Sequence, residues 1–490
     1  MTDDATQSSR LRPGSLGVTG IVVLSAVLMG PAISLFFNTP VVAGNAGAAV
    51  PLVFILAMVG VLLTAWTVAQ YSRKISGAGS FYGFIQRAAG ARLGFMAGWA
   101  TFGAYLGAAI GGAAISGAFI SDLLARHASI DIPWIWLALA VVAVVLALSI
   151  IGIRISERVG LVMLGIELLA VAIVVIAILV QGGDDGFSTK PFTFDGAPNG
   201  LDGIRLAMVF GVLSFVGFEI SATLAEETRE PRRNVPRAVI GCTLVVGLLY
   251  VIGSYAVTIG YGVDNIDQLA SDPAAFDTLT ARYVTSASVI VDLILINALI
   301  GATLAVTNGF ARVAFALGRN GAIPSWFGRT SARYATPVNA LAVCGLMSIV
   351  FLVPLSIDGQ NGLTAYTWVS TPAILLLILV FIAANLTVGR FYWTKHKPEF
   401  RWASHVLVPV LGALVMLLPI TAQFWPTPPS PQDRLPWITL AWLVIGVVVM
   451  VAAGSRLAGA FDAEAASGDP GPDDGPPAVA ADDRQPAGRA

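Results

Sequence analysis

Leu24-Ser25-Ala26-Val27-Leu28-Met29-Gly30-Pro31-Ala32-Ile33-Ser34 is an apolar run with its two poorest helix formers side by side at its centre. Proline lacks a backbone donor and clashes with the turn before it. Glycine tolerates the unwinding that results. The surrounding stretch, 16–42, is long enough to cross a bilayer, which takes about 20 apolar residues. Unwound backbone survives at membrane depth only where it lines a cavity or is buried in protein. The segment is therefore expected to be a helix broken in mid-membrane; a proline kink packed against its neighbours is the plainer alternative.

The rest of the chain fits that reading. Of 490 residues, 56% are hydrophobic and 12% charged, against about 25% charged in soluble domains. Mean hydropathy is +0.79. Net charge is -1, which offers no case for nucleic acid. Eleven further apolar stretches follow, at 47–70, 93–124, 133–152, 156–181, 203–228, 237–261, 286–317, 337–357, 363–388, 405–425 and 436–456. The expectation is an all-α integral membrane protein with twelve transmembrane helices occupying 16–456, in contact with lipid. Residues 1–15 form a polar tail. The first apolar run is too long for the h-region of a cleaved leader, about 7–15 residues, and is expected to remain as an anchor. Residues 457–490 are rich in Ala, Gly, Pro and Asp; they lack apolar surface to offset chain entropy and are expected to be a disordered tail.

Basic residues set the orientation. One set of loops carries Arg73, Lys74, Arg87 and Arg92, then Arg154 and Arg158, then Arg229, Arg232, Arg233 and Arg237. It continues with Arg319, Arg329 and Arg333, then Arg390, Lys395, Lys397 and Arg401. The opposite loops have few basic residues and hold Asp264, Asp267, Asp272 and Asp277. Both termini are thus expected in the cytoplasm. Arginine far outnumbers lysine, which fits a G+C-rich bacterial genome, and the expected location is the bacterial cytoplasmic (inner) membrane.

Cys242 and Cys344 lie in apolar runs and read as buried hydrophobes. His127, His396 and His405 fall in or beside predicted loops, so no metal centre is expected in the membrane. No His-Glu-x-x-His pair, Gly-x-Ser-x-Gly elbow or Walker-type loop is present, and no cofactor or enzymatic activity is expected.

A second interruption occurs at Ser214-Phe215-Val216-Gly217-Phe218-Glu219, in segment 6. An acid at the bilayer centre costs about 2.5–3.5 kcal/mol on insertion scales, so Glu219 needs a site or a partner. Breaks in segments 1 and 6 have the spacing of a five-plus-five inverted repeat, about 16–181 and 203–388, with helices 11 and 12 appended at about 405–456. Paired interruptions in the two halves point to a solute site at their junction. A restarting half-helix offers N–H groups to an anion; a terminating one offers carbonyls to a cation.

Three motifs then converge on one family. Thr223-Leu224-Ala225-Glu226-Glu227-Thr228-Arg229-Glu230-Pro231-Arg232-Arg233-Asn234-Val235-Pro236-Arg237-Ala238 resembles the signature that follows helix 6 in the amino acid–polyamine–organocation (APC) superfamily of permeases. Phe218-Glu219 resembles the aromatic–acid pair before it. Ser76-Gly77-Ala78-Gly79-Ser80-Phe81-Tyr82 is similar to the family's Gly-rich segment before helix 3, and Gly318-Arg319-Asn320-Gly321-Ala322-Ile323-Pro324 to the segment after helix 8. The resemblance implies the five-plus-five fold with broken helices 1 and 6, alternating access, and uptake or exchange of amino acids or amines. It also implies a substrate site around both breaks, walled by helices 3, 8 and 10.

The candidate substrate residues are Met29, Gly30, Pro31, Ala32 and Ile33 at the first break, and Phe215, Gly217, Phe218 and Glu219 at the second. Tyr105 and Trp368 are candidates for an aromatic lining over an ammonium. Glu167, mid-way along segment 5, is a candidate to titrate or to hold a cation, because in some proton-coupled relatives a helix 5 lysine stands at a comparable place. Asn297 and Thr303 are candidates for the same coupling region. Protons are the favoured coupling ion, with sodium as the alternative. Where many relatives have Gly-Ser-Gly at the first break, this chain has Gly30-Pro31-Ala32. Pro31 cannot donate and Ala32 carries a Cβ, which weakens capture of an α-carboxylate and leaves an amine or another small solute open. An amine or polyamine antiporter, and a channel or solute sensor on the same scaffold, are the rival readings.

Overall fold

The computed structural model describes residues 17–75, 80–151, 157–223, 225, 228–284, 288–319, 321, 323–331, 333–334, 336–428 and 430–454. The tails at 1–15 and 457–490 lie outside these, as do Ser76 to Gly79, Arg154, Leu224, Glu226, Glu227, Asn320 and Ala322.

The described residues form an all-helical membrane protein. Eleven helices are long and apolar enough to cross a bilayer: α1 (Val18–Ala46), α2 (Val50–Ser72), α3 (Ala91–Ala128), α4 (Trp134–Ile151), α5 (Leu164–Gln181), α7 (Pro231–Tyr261), α8 (Asp292–Arg319), α9 (Val338–Ile357), α10 (Gly362–Lys395), α11 (Ala403–Thr421) and α12 (Gln432–Ala452). Each matches an expected segment. Segment 6 differs: α6 (Gly200–Leu213) has 14 residues, an irregular turn follows, and helix resumes only at Ile220–Thr223. Short helices that hydropathy had not marked occupy Ser80–Ala89, Ile266–Ser271 and Ala275–Tyr283.

Apolar side chains face outward along the bundle. On α5, Leu169, Ile173, Ile176 and Val180 are exposed while Val171, Val174 and Ile178 are buried. Such a surface is stable against lipid, not water. The interior holds the polar groups instead, including Asn38, Gln70, Glu167, Glu219 and Asn385. α3 packs between α4, α8 and α10. A Cβ added at Gly103, Gly107, Gly111 or Gly112 would come within 2.7 Å of Trp442, Ala373, Ser370 or Thr303, so these glycines let helices approach closely.

Both breaks form for local reasons. In α1, Gly30 adopts φ +53°, which ends the first half at Met29, and Pro31 opens the second half at the position where a missing N–H costs least. The freed Met29 carbonyl accepts from Tyr250 Oη at 2.8 Å. After α6, Gly217 adopts φ +117°. A Cβ there would stand 2.9 Å from the Leu28 Cβ and 3.0 Å from its carbonyl carbon. The two breaks therefore pack backbone to backbone.

Candidate substrate site

Hydrogen bonds stitch the breaks together. Ser34 Oγ lies 3.1 Å from the Met29 carbonyl oxygen and 3.4 Å from that of Ser214, one from each break. Asn38 Nδ2 donates to Ser214 Oγ at 2.9 Å. Ser25 Oγ and Ser221 Oγ are 2.6 Å apart.

A carboxyl closes each break. Glu167 Oε1 accepts from the Ala32 amide at 2.8 Å, at the start of the second half of α1. Glu219 Oε2 accepts from the Gly217 amide at 2.9 Å, and its Oε1 accepts from Tyr105 Oη at 3.0 Å. Both acids are buried. Each satisfies a backbone donor that unwinding has freed and that no water reaches in lipid.

Beside the breaks lies a cavity of about 90 Å³. Met29, Gly30 and Ile33 line it, together with Thr303 of α8. Its remaining polar wall comes from Ser34, Asn38, Tyr366 and Ser370. Its apolar wall includes Leu28, Ala108, Ile115, Leu213 and Val216. Helices α1, α3, α6, α8 and α10 thus all contribute.

The other candidates stand back from this space. Pro31 and Ala32 lie behind it. Phe215 packs edge-on against Tyr250, and Phe218 against Phe381. Gly217, Glu219 and Tyr105 join the second break to α3 without bordering the cavity. Asn297 is half-buried elsewhere on α8. Trp368 lines a separate cavity of about 40 Å³ with Gln423 and Gln432. Sequence reasoning did not single out Ser34, Asn38, Tyr366 or Ser370. Polar residues on an apolar span were the available signal, and many such residues elsewhere only bond their own helix, as Thr258 does to Ser254.

At the end of the bundle that carries the C-terminus of α3, ligand atoms of His127, Asp277 and Asp292 lie within 4.8 Å of one another. Arg126 stands among them, bonded to Asp122 and Asp277 and 3.7 Å from Asp292. Its guanidinium supplies the positive charge this cluster calls for.

A bundle of membrane helices, two of them broken against each other beside a small interior cavity, defines a membrane transporter rather than an enzyme. Residues 16–450 match the amino acid permease family, and the chain belongs to that family, within the APC superfamily. It is 23% identical over 453 residues to the low-affinity putrescine importer PlaP of Escherichia coli, covering 89% of this chain and 92% of the relative. It is 26% identical over 477 residues to the branched-chain amino acid permease BcaP of Bacillus subtilis, covering 91% and 94%. The methylthioribose transporter of Bacillus subtilis is 26% identical over 419 residues, covering 77% and 87%.

Proposed function

We propose that this protein is a secondary transporter that carries amino acids or related amines across the bacterial cytoplasmic membrane by alternating access, driven by protons. The observation that carries the reading is the cavity at the junction of two broken helices, each closed by a buried carboxyl. Breaks of this kind hold solutes at the midplane in transporters built from inverted repeats. The proposed repeats are 16–181 and 203–388, each opening with its broken helix, with both termini in the cytoplasm. The substrates named for PlaP and BcaP, putrescine and branched-chain amino acids, bracket the solute class.

In this mechanism the cavity residues hold the solute while the two halves rock around it. Glu167 and Glu219 are the groups that take up and release protons, because each is a carboxyl attached to a break. Proton uptake by Glu167 weakens its hold on the Ala32 amide, which couples its charge state to the second half of α1.

The test is uptake by proteoliposomes holding the full chain, with labelled amino acids and amines, with and without an imposed pH gradient. Saturable uptake that rises with an inward proton gradient and falls several-fold in Glu167→Gln is the expected result. Uptake indifferent to every ion gradient would leave exchange or facilitated diffusion. Currents far above transporter turnover in a bilayer recording would establish a channel.

A further inference from the structure

The cavity presents mostly acceptors, and the backbone amides that could have served it as donors at the two breaks are filled. A restarting helix binds an anion through its leading amides. In the second half of α1, Pro31 has no amide hydrogen and the Ala32 amide is held by Glu167 at 2.8 Å. The Ser34 amide bonds Gly30 at 2.9 Å. An incoming carboxylate would find at most the Ile33 amide, beside a carboxyl already in the seat. At the second break the Gly217 amide is held by Glu219 in the same way.

Three of the four hydroxyls lining the cavity tell the same story; the Ser370 hydroxyl and the second hydrogen of Asn38 Nδ2 are the donors that remain. Ser34 directs its hydrogen to the Met29 or Ser214 carbonyl. Thr303 directs its hydrogen to the Leu299 carbonyl at 2.7 Å. Tyr366 donates to Asn38 Oδ1 at 2.6 Å. A hydroxyl whose one hydrogen is committed offers a ligand only lone pairs. The first half of α1 and the whole of α6 both end at the cavity, through Leu28, Met29 and Leu213. Their C-terminal ends add partial negative potential, which the starting end of the second half of α1 offsets only at the first break. Among the described residues, no lysine, arginine or histidine lines the cavity, and no acid lines it either.

We infer that the cavity takes an aliphatic monoamine lacking an α-carboxylate. An ammonium supplies the hydrogens that these oxygens accept. The remaining apolar wall, from Leu28 to Val216, suits a short hydrocarbon body, and nothing on it would balance a second ammonium. This inference rests on the transport reading above and narrows its solute.

The experiment uses a matched pair that differs only in the carboxyl group, with a diamine beside it. Purified full-length protein is titrated with 3-methylbutylamine, leucine and 1,4-diaminobutane, reading the rise in melting temperature, since a ligand of the folded state raises it by mass action. The same compounds then compete for uptake in proteoliposomes. The expected result is that 3-methylbutylamine acts at concentrations at least tenfold below both others. Leucine acting within tenfold of the amine, or the diamine acting below it, overturns the inference while leaving transport intact. No binding and no uptake across a wide panel of amino acids and amines, by protein that still melts cooperatively, removes the transport reading itself.

Two variants test the cause. Glu167→Ala frees the Ala32 amide and should shift the preference at least fivefold toward leucine. Glu167→Gln still presents an oxygen to that amide and should keep the amine first. A Glu167→Ala protein that folds and leaves the preference unchanged shows that the occupied amide is not the discriminator. The wild-type comparison stands even if that variant fails to fold.

Discussion

The break in α1 and the break after α6 are closed by the same chemistry from different sources. At the second break the acid is two residues from the amide it accepts: Glu219 reaches back to Gly217, with Tyr105 of α3 on its other oxygen. At the first break the sequence around Gly30 holds no acid. The carboxyl arrives from α5, 135 residues away, as Glu167 on Ala32. A break that caps itself keeps its shape wherever its helix moves. A break capped from another helix keeps its shape only while the two helices stay together. The second break is therefore a fixed element and the first a conditional one.

Glu219→Leu should have the largest effect. It orphans the Gly217 amide and the Tyr105 hydroxyl together, at about 1–3 kcal/mol for each buried unsatisfied group. A loss of about 2–6 kcal/mol is expected, read as a sharp fall in melting temperature in detergent with loss of uptake. Melting close to wild type would show that the second break does not depend on its own acid.

Glu167→Leu comes next. It orphans a single amide, for about 1–3 kcal/mol. Because that bond joins two helices, hydrogen exchange in 31–46 should rise while exchange around 214–219 stays as it was. Equal increases at both breaks would erase the distinction drawn above.

Tyr105→Phe should cost less, about 1–2 kcal/mol, since Glu219 keeps the Gly217 amide. Combined with Glu219→Leu it should give back part of the loss, because it removes the hydroxyl that Glu219→Leu orphans, the signature of groups that act as a unit.

The smallest effect belongs to an acid outside the membrane segments. Glu399 accepts from Lys74 Nζ at 2.5 Å, and the bond holds its carboxyl below the usual glutamate value. The pair is solvent-exposed, so Lys74→Met should cost under about 1 kcal/mol, and less in high salt. Its contribution is full above the ordinary glutamate pKa of about 4.3 and fades as pH falls through the lower folded value. A larger loss would mean that the bond braces the loops it joins.

Eleven of the twelve expected spans, both breaks and both buried acids were readable in the sequence. Length and hydropathy mark a membrane helix without help from its partners, and glycine, proline or an acid inside one stands out. The cavity wall was much less readable. A helix that is apolar all round gives no sign of which face turns inward. Trp368 and Tyr366 show the difficulty. At about 100° per residue they point to different sides of α10, and it is Tyr366 that reaches the cavity. Phe215 and Phe218 looked like lining because they flank the break, yet the break turns them into the packing behind it. Segment 6 is less helical than expected, because Gly217 sits in a backbone region that other residues rarely occupy.

The contact between Gly217 and Leu28 ties the two breaks into a single moving part. Neither can shift sideways by an ångström without pushing on the other, so under the alternating access proposed above the crossing from one membrane face to the other would have one fewer independent coordinate than two hinges would give. A leak, with one break loosened and the other shut, would first have to part these backbones. Position 217 also becomes a site with almost no room for a side chain. An added methyl would press on main chain that cannot rotate out of the way, and the chain's alphabet there shrinks to one letter.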